Sequence, residues 1–157
     1  AAALILIPDD IFESSGISEP AQEYFELNSN YVVADIIDIN GTTIIIGNGC
    51  TAIVAQTTEE RAEAIKLGIA GKLDERPNIY DSVSALMQNY NMTLNYVAMH
   101  SYDRNRSVYF SDAIFQKGAD VLVLDMKPSD AFAVALRTKS PIYLNKIMLD
   151  EVGVNIC

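Results

Sequence analysis

The chain has 157 residues, half of them hydrophobic, which is the size and composition of one ordinary domain with a buried core. Its 21 acidic residues outnumber its 11 basic residues, so non-specific affinity for nucleic acid should be weak. Any role in nucleic-acid binding must therefore depend on a local site.

The two cysteines, Cys50 and Cys157, lie far apart and match neither a disulfide framework nor the spacing of zinc ligands. We therefore expect free thiols and a reducing compartment. The apolar run at residues 1–7 is too short for a membrane span and has no basic flank of the kind that begins a signal peptide. These features favour a cytoplasmic protein without a membrane partner.

The first third of the chain predicts a short strand, a short helix, a hairpin and a further strand. Residues 4–7 are compatible with a short strand, and residues 21–27 with a short helix, in an acidic stretch. In YVVADIIDINGTTIIIG, residues 31–47, two β-branched runs flank Asn40 and Gly41. Both of these residues tolerate positive φ, so this run predicts a hairpin, and residues 51–56 predict another strand.

Two helices are predicted to follow. Thr57 and Glu60 have the spacing of a capping box, and Gly71 suits a left-handed cap at the end of the first helix. Asn78 suits the start of the second helix. Helical spacing predicts buried faces formed by Ala62, Ile65 and Ile69 in the first helix and by Ile79, Val83, Leu86, Met87 and Tyr90 in the second.

From residue 92 the apolar pattern changes to a period of two. Residues 92–100, 107–116 and 119–126 predict a three-stranded meander. Pro128 suits the first position of a helix, and Pro141 ends that helix. A strand at residues 142–144 and a helix at residues 146–152 complete a single α+β domain, with a mixed, largely antiparallel sheet and helices packed on it.

Polar residues surround the predicted start of the Pro128 helix. Asp125 ends an apolar strand, so its carboxylate is expected at the rim of the sheet near the positive end of the helix. With Asp130 it could hold a hydrated Mg²⁺ or Mn²⁺ ion, because these ions favour oxygen ligands. Lys127 and the free N–H groups of the helix could then bind a phosphate oxygen.

The same residues also suit a purely structural role. Ser129 and Asp130 can satisfy the helix start, and Asp125 can pair with Lys127 or with Arg137. Asp130 and Arg137 are seven residues apart, about 10.5 Å along a helix axis, so they are not expected to pair with each other. Sequence spacing alone does not decide between the two roles.

Neither the single histidine nor the glycine-containing turns match a recognisable site motif. His100 is the only histidine and has no second ligand at a recognisable spacing, so we interpret it as structural or exposed at the end of a strand. The glycine-containing turns lack the spacing of loops that bind ATP or dinucleotides.

The segment LDMKPSDAFAVALRTKSPIYLNKIMLDEVGV, residues 124–154, resembles the C-terminal signature of the bifunctional nuclease domain family. Members of that family show D-x-R-P-S-D-A-x-x-L-A-L-R-x-x-x-P-I-Y-V followed by a short helix. Upstream, IIDINGTTIIIG, RAEAIKLGIAG and ERPNIYDSV are similar to the family's first hairpin, its first helix and its R-P-x-x-H-D-L-L segment. The resemblance suggests a domain at residues 31–157 preceded by an extension at residues 1–30.

The resemblance implies an α+β fold, hydrolysis of phosphodiester bonds in RNA and DNA, and assembly into a homo-oligomer. Single-stranded nucleic acid or nucleotides are the implied partners. Lys127 stands where the family usually has arginine. Carried over by position, the candidate catalytic residues are Arg76, Asp81, Asp125, Lys127, Asp130 and Arg137, with Ser129 as a binding residue and Asp125 and Asp130 as metal ligands.

Two further positions depart from the family pattern. Tyr80 replaces a histidine, and Arg61 replaces an acidic residue near the start of the first helix. Tyrosine is a poor base near neutral pH because its pKa is about 10. Two hypotheses therefore remain open: a metal-assisted nuclease, which includes a divergent or inactive one, and a non-catalytic oligomeric module that binds a small anion or a protein partner.

Overall fold

The computed structural model describes residues 27–157, which form eight strands and four helices. The strands are β1 (Tyr31–Asn40), β2 (Thr43–Asn48), β3 (Thr51–Gln56), β4 (Thr93–Asp103), β5 (Val108–Lys117), β6 (Asp120–Met126), β7 (Ile142–Asn145) and β8 (Val154–Asn155). The helices are α1 (Glu59–Ala70), α2 (Ile79–Asn89), α3 (Pro128–Thr138) and α4 (Lys146–Val152). None of these helices is long and apolar enough to cross a membrane. The strand predicted at residues 4–7 and nearly all of the helix predicted at residues 21–27 lie outside the described residues.

The strands form one sheet in the order β6-β5-β4-β7-β1-β2-β3-β8. Strands β4 and β7 are parallel, whereas the other pairs are antiparallel. The predicted α+β domain with a mixed, largely antiparallel sheet is thus confirmed. The hairpin is confirmed by Gly41, whose φ is 58° in the β1–β2 turn, and strands β4, β5 and β6 form the predicted meander.

Helix α3 lies at the centre of the helical layer, where it contacts α1, α2, β4 and β5. Residues 131–135, AFAVA, are all buried, and the three alanines allow the helix to approach its neighbours closely. Burying Phe132 alone contributes roughly 1.5–3 kcal/mol to stability. This packing fixes the first turn of α3 between the other two helices.

Helices α1 and α3 run in the same direction. Near their last turns, Gly68 of α1 lies so close to α3 that a Cβ atom on it would be 3.0 Å from Leu136 Cβ and 3.1 Å from Arg137 Nη1. Near their first turns, Arg61 bonds to Asp130. The positive N-terminal ends of both helix dipoles therefore meet on one side of the molecule.

The helix caps are predicted almost correctly. Gly71 ends α1 with φ 62°, and Asn78 forms a capping box with Asp81 at the start of α2. Thr58, not Thr57, caps α1, because the Thr57 N–H donates to the Thr42 carbonyl and keeps Thr57 at the end of the sheet. The predicted Thr57–Glu60 capping box is therefore wrong by one residue.

The buried face of α2 is also different from the prediction. Met87 is buried and Val83 is half-buried, as predicted, but Ile79, Leu86 and Tyr90 are 65%, 59% and 63% exposed. The residues that α2 buries are Asp81, Ser84 and Met87. A polar contact of Asp81 with α3, described below, sets the rotation of this helix in place of an apolar stripe. In α1, Ile69 is likewise exposed rather than buried.

The expectation of free thiols is wrong, because Cys50 and Cys157 form a disulfide. Cys50 lies in the turn between β2 and β3, and strand β8 brings Cys157 to the same edge of the sheet by pairing with β3. The Ile156 N–H donates to the Cys50 carbonyl. Disulfides persist mainly in oxidising compartments, so the expectation of a reducing compartment, which was based on free thiols, is no longer supported. The cytoplasmic location stays a prediction.

Candidate active site

Asp130, in the first turn of α3, binds side chains from the first turns of the other two long helices. Its Oδ1 accepts hydrogen bonds from Arg61 Nε of α1 and from the Tyr80 hydroxyl of α2, each at 2.6 Å. The side chains of Arg61 and Asp130 are 29% and 24% exposed. Three helix starts thus meet at one carboxylate that remains within reach of solvent.

A second aspartate–arginine pair lies beside the first and is much more deeply buried. Arg137 Nε donates to Asp81 Oδ1 at 2.5 Å, and the two side chains are 7% and 4% exposed. Arg137 Nη1 donates to the carbonyls of Ala64 and Ala133. Burial alone would raise the pKa of Asp81, but the hydrogen bonds from Arg137 and from the Asn78 N–H hold the pKa below its usual value.

Tyr80 connects the two pairs. The centre of its ring lies 5.6 Å from Cζ of Arg137, which is a cation–π contact. Nη2 of the same guanidinium has no hydrogen-bond partner among the described residues. Burial, together with the hydrogen bond to Asp130, raises the pKa of Tyr80 to about 12. Tyr80 is therefore a hydrogen-bond donor at neutral pH. We call this set the three-helix cluster: Arg61, Tyr80, Asp81, Asp130 and Arg137.

A cavity of about 400 Å³ opens next to the three-helix cluster, where α1 and α3 begin. We call it the α1–α3 cavity. Its polar lining residues are Gln56, Thr57, Thr58, Arg61, Lys127 and Ser129, and its apolar and aromatic ones include Ile44, Ile46, Met99, Val108, Tyr109 and Phe132. Lys127 precedes α3 and makes no side-chain hydrogen bond that caps the helix. Two cations and two helix N-termini make this cavity suitable for an anion such as phosphate.

A larger cavity, of about 840 Å³, lies at the opposite ends of the same helices. Arg137, Asp81, Lys72 and Lys139 line it. The C-terminal ends of α1 and α3 carry partial negative charge, whereas their N-terminal ends at the α1–α3 cavity carry partial positive charge. Arg61 and Arg137 are each paired with an aspartate, so the helix ends decide between the two cavities. The smaller α1–α3 cavity is therefore the better anion site, although the larger one has more room.

Asp125 does not join the three-helix cluster. In strand β6 its neighbours Leu124 and Met126 pack against the core beneath the helices, and successive side chains of a strand point to opposite faces. Asp125 is therefore on the other face of the sheet from Asp130. The two carboxylates proposed as joint metal ligands are not brought together. Within residues 27–157 no group of three or more histidine, cysteine, aspartate or glutamate residues could hold a metal ion.

Asp125 instead lies opposite Asp112 of the neighbouring strand β5. His100 Nε2 is 3.7 Å from Asp112 Oδ2, and His100 Nδ1 is 2.9 Å from Ser101 Oγ. Burial raises the pKa of Asp112, an effect that His100 opposes and Asp125 strengthens. His100 lies inside β4 rather than at its end, and its contacts are those of a side chain held on the sheet surface.

The remaining sequence candidates occupy different places. Lys127 and Ser129 line the α1–α3 cavity beside Arg61. Arg76 is exposed in the connection between α1 and α2, and none of the hydrogen bonds or ion pairs found in the described part of the chain involves it. The predicted pairing of Asp125 with Lys127 or Arg137 is not formed, since Arg137 pairs with Asp81.

Comparison with known families matches residues 49–156 to the bifunctional nuclease domain. This match covers more than half of the chain. The chain belongs to the bifunctional nuclease domain family. The matched residues include the whole three-helix cluster and most of the α1–α3 cavity, so the site is part of the family domain and not of an addition to it.

Two curated relatives of this bifunctional nuclease domain come from two strains of Mycobacterium tuberculosis and are named "Uncharacterized protein MT1877" and "Uncharacterized protein Rv1829". Each is 30% identical to the chain over 98 residues, which are 62% of this chain and 57% of the relative. The chain thus spans a little over half the length of these relatives. Neither name states an activity.

The two departures from the family pattern are both partners of Asp130 in this bifunctional nuclease domain. Arg61 is 69 residues and Tyr80 is 50 residues away from Asp130 in sequence. No sequence pattern predicts that they meet, and neither is among the predicted site residues. The only available signal was that both changes occur at the starts of predicted helices, next to positions that match the family.

Proposed function

We propose that this bifunctional nuclease domain hydrolyses phosphodiester bonds in RNA or DNA at the α1–α3 cavity. The observation that carries the proposal is the position of Arg61 and Lys127 at the cavity where two helix N-termini meet. In a chain with a net charge of −10, a phosphate needs such a local site. The family assignment supports the same reaction class.

In the proposed complex, the phosphate of the scissile bond binds to Arg61 and Lys127. These cations stabilise the negative charge that develops on the phosphate oxygens as water attacks phosphorus and the ester P–O bond breaks. Asp130 and Tyr80 are positioning residues in this scheme. Asp130 holds Arg61 Nε at 2.6 Å, and the protonated Tyr80 hydroxyl fixes the same carboxylate oxygen.

The Mg²⁺ or Mn²⁺ ion expected from the sequence is tested directly in the cleavage assay. Asp125 and Asp130 lie on opposite faces of the sheet and do not fit one shared ion, so no step of the proposed reaction is assigned to a metal. Mg²⁺ commonly binds through one or two carboxylates together with substrate phosphates, which is why both ions belong in the assay.

The test is cleavage of end-labelled single-stranded RNA and DNA, with Mg²⁺, with Mn²⁺ and with a chelator. Arg61→Ala and Lys127→Ala should each lower the cleavage rate by about tenfold or more, as expected for loss of a charge-stabilising donor. Lys66→Ala, which removes an exposed cation from the same helix α1, is the matched control and should cleave normally. Absence of cleavage under all three conditions, or equal rates in all variants, would contradict the proposal.

A second candidate is a non-catalytic oligomeric module that binds a small anion or a protein partner. It is favoured by one observation, which is that Asp81 and Asp130 are each held in an ion pair, as in structural sites. Light scattering measures the proposed self-association. If the wild type forms oligomers, binds phosphate and cleaves neither nucleic acid, the module is the better description.

A further inference from the structure

We infer that the α1–α3 cavity accepts one unpaired nucleobase, with the attached phosphate at Arg61 and Lys127. This inference rests on the proposed function and deepens it, because it assigns the substrate class: nucleic acid whose bases are free to leave a helix. The volume of about 400 Å³ lies within the range of small-molecule pockets.

The cavity lining contains residues suited to each part of a nucleotide. Its apolar members include Ile44, Met99 and Phe132, which are buried, and Val108, which is exposed. A base is a flat, largely apolar group that gains from such contacts. A phosphate alone would make no favourable contact with these apolar residues.

Tyr109 contributes an aromatic ring to the cavity lining, on which we propose that the base stacks. Its ring lies 4.4 Å from that of Tyr102, tilted by 35°, so it is already held in place before a ligand binds. The Tyr109 hydroxyl is neutral near neutral pH, as in any tyrosine, and burial raises its pKa further. Stacking on an aromatic ring tolerates any base, so this contact would not select a sequence.

Hydroxyl groups also contribute to the cavity lining. Thr57, Thr58 and Ser129 line it, and their hydroxyl groups can donate to a sugar hydroxyl or to the edge of a base. Gln56 lines it too, but its amide is already bonded to Thr42 and Thr43. A nucleotide placed this way would use the apolar, the hydroxyl and the cationic residues of the lining.

A double helix does not fit the same site. Its bases are stacked inside the duplex, and removing one from the stack costs free energy. A duplex would also bring many phosphates to a chain that has ten more acidic than basic residues, whereas one inserted nucleotide meets Arg61 and Lys127. The cavity therefore favours single strands, loops and frayed ends.

The first test compares ligands on the wild-type chain by calorimetry. Adenosine 5′-monophosphate should bind at least about tenfold more tightly than ribose 5-phosphate, which lacks the base. Tyr109→Leu, which keeps an apolar side chain but removes the ring, should abolish most of this difference. Tyr109→Phe keeps the ring and should preserve the difference. Inorganic phosphate should bind all three proteins equally, which also shows that the variants are folded.

The second test separates this inference from the proposed nuclease activity. Cleavage of a single-stranded oligonucleotide is compared with cleavage of the same strand in a duplex and of a strand that carries abasic nucleotides. The intact single strand should be cut fastest. Equal cleavage of all three, or equal affinity for the nucleotide and for ribose 5-phosphate, overturns the base pocket and leaves the nuclease proposal standing. Preference for the nucleotide without cleavage of any strand supports the pocket and overturns the nuclease.

Discussion

The helical layer contains two aspartate–arginine pairs with nearly the same hydrogen-bond geometry and different surroundings. In both, the arginine Nε donates to one oxygen of the carboxylate, at 2.5 Å for Arg137 and Asp81 and at 2.6 Å for Arg61 and Asp130. The first pair is less than a tenth exposed, whereas the second is about a quarter exposed. Only the second has a member, Arg61, that lines the α1–α3 cavity.

This difference shows how similar pairs can have separate roles. Breaking a buried pair leaves a charge without a partner in a low-dielectric interior, which is costly to stability. A partly exposed pair contributes little, because water and salt compensate its loss. We therefore expect the Asp81 pair to hold α2 against α3 and the Asp130 pair to position a cation for a ligand.

The largest expected effect comes from removing one member of the buried pair. Arg137→Ala leaves Asp81 buried and unpaired and should lower the free energy of unfolding by about 3–5 kcal/mol. Urea unfolding followed by circular dichroism measures the change. The double variant Asp81→Asn, Arg137→Met has no buried charge and should recover a clear part of the loss. A loss below about 1 kcal/mol in Arg137→Ala would show that the two pairs do not differ.

An intermediate effect is expected at the partly exposed pair. Asp130→Asn should lower the free energy of unfolding by only about 1 kcal/mol. Its cleavage rate should fall by about tenfold or more, since Arg61 loses the carboxylate that positions it. Asp120→Asn removes one negative charge at an exposed strand end and is the matched control. If Asp130→Asn unfolds as easily as Arg137→Ala and retains full activity, the assigned roles are reversed.

The smallest effect is expected at Tyr80, which contacts both pairs. Tyr80→Phe removes one hydroxyl and should lower the free energy of unfolding by about 0.5 kcal/mol near neutral pH. The pKa of Tyr80 is raised from 10.0 to about 12, so folding favours its protonated form. Its contribution is complete below pH 10 and is lost as the pH rises towards 12.

The pH dependence gives this last prediction a sharper test. Between pH 10 and pH 12 the wild type should lose stability more steeply than Tyr80→Phe, so that the two unfolding curves converge. Comparing the two proteins cancels the titration of lysines and of the other tyrosines. Parallel curves over that range would show that the Tyr80 hydroxyl is not held by Asp130.

Much of the fold follows from local signals in the sequence. Asn40 and Gly41 determine the first hairpin, Gly71 and Asn78 mark helix ends, and Pro128 begins α3. Each of these signals acts through the backbone of a few adjacent residues. Such signals do not depend on what the rest of the chain does, which is why they were predicted from the sequence.

The site itself depends on contacts between distant residues. The rotation of α2 could not be predicted from its apolar spacing, because the partner that fixes it is Arg137, 56 residues from Asp81. Asp125 and Asp130 are close in sequence, yet the alternation of side chains in β6 separates them. Lys127 and Ser129 were correctly expected at the start of α3, but Arg61 and Tyr80 came to the site only through helix packing.

The disulfide between Cys50 and Cys157 turns nearly the whole family domain, residues 49–156, into a covalent ring. A protease cut at any single bond within this ring would open it without separating two fragments. Such a nicked protein would migrate as one band in non-reducing electrophoresis and as two after reduction. The three helix starts that meet at Asp130 all lie inside the ring, so a cut in the exposed connection between α1 and α2 would leave them tethered to one another.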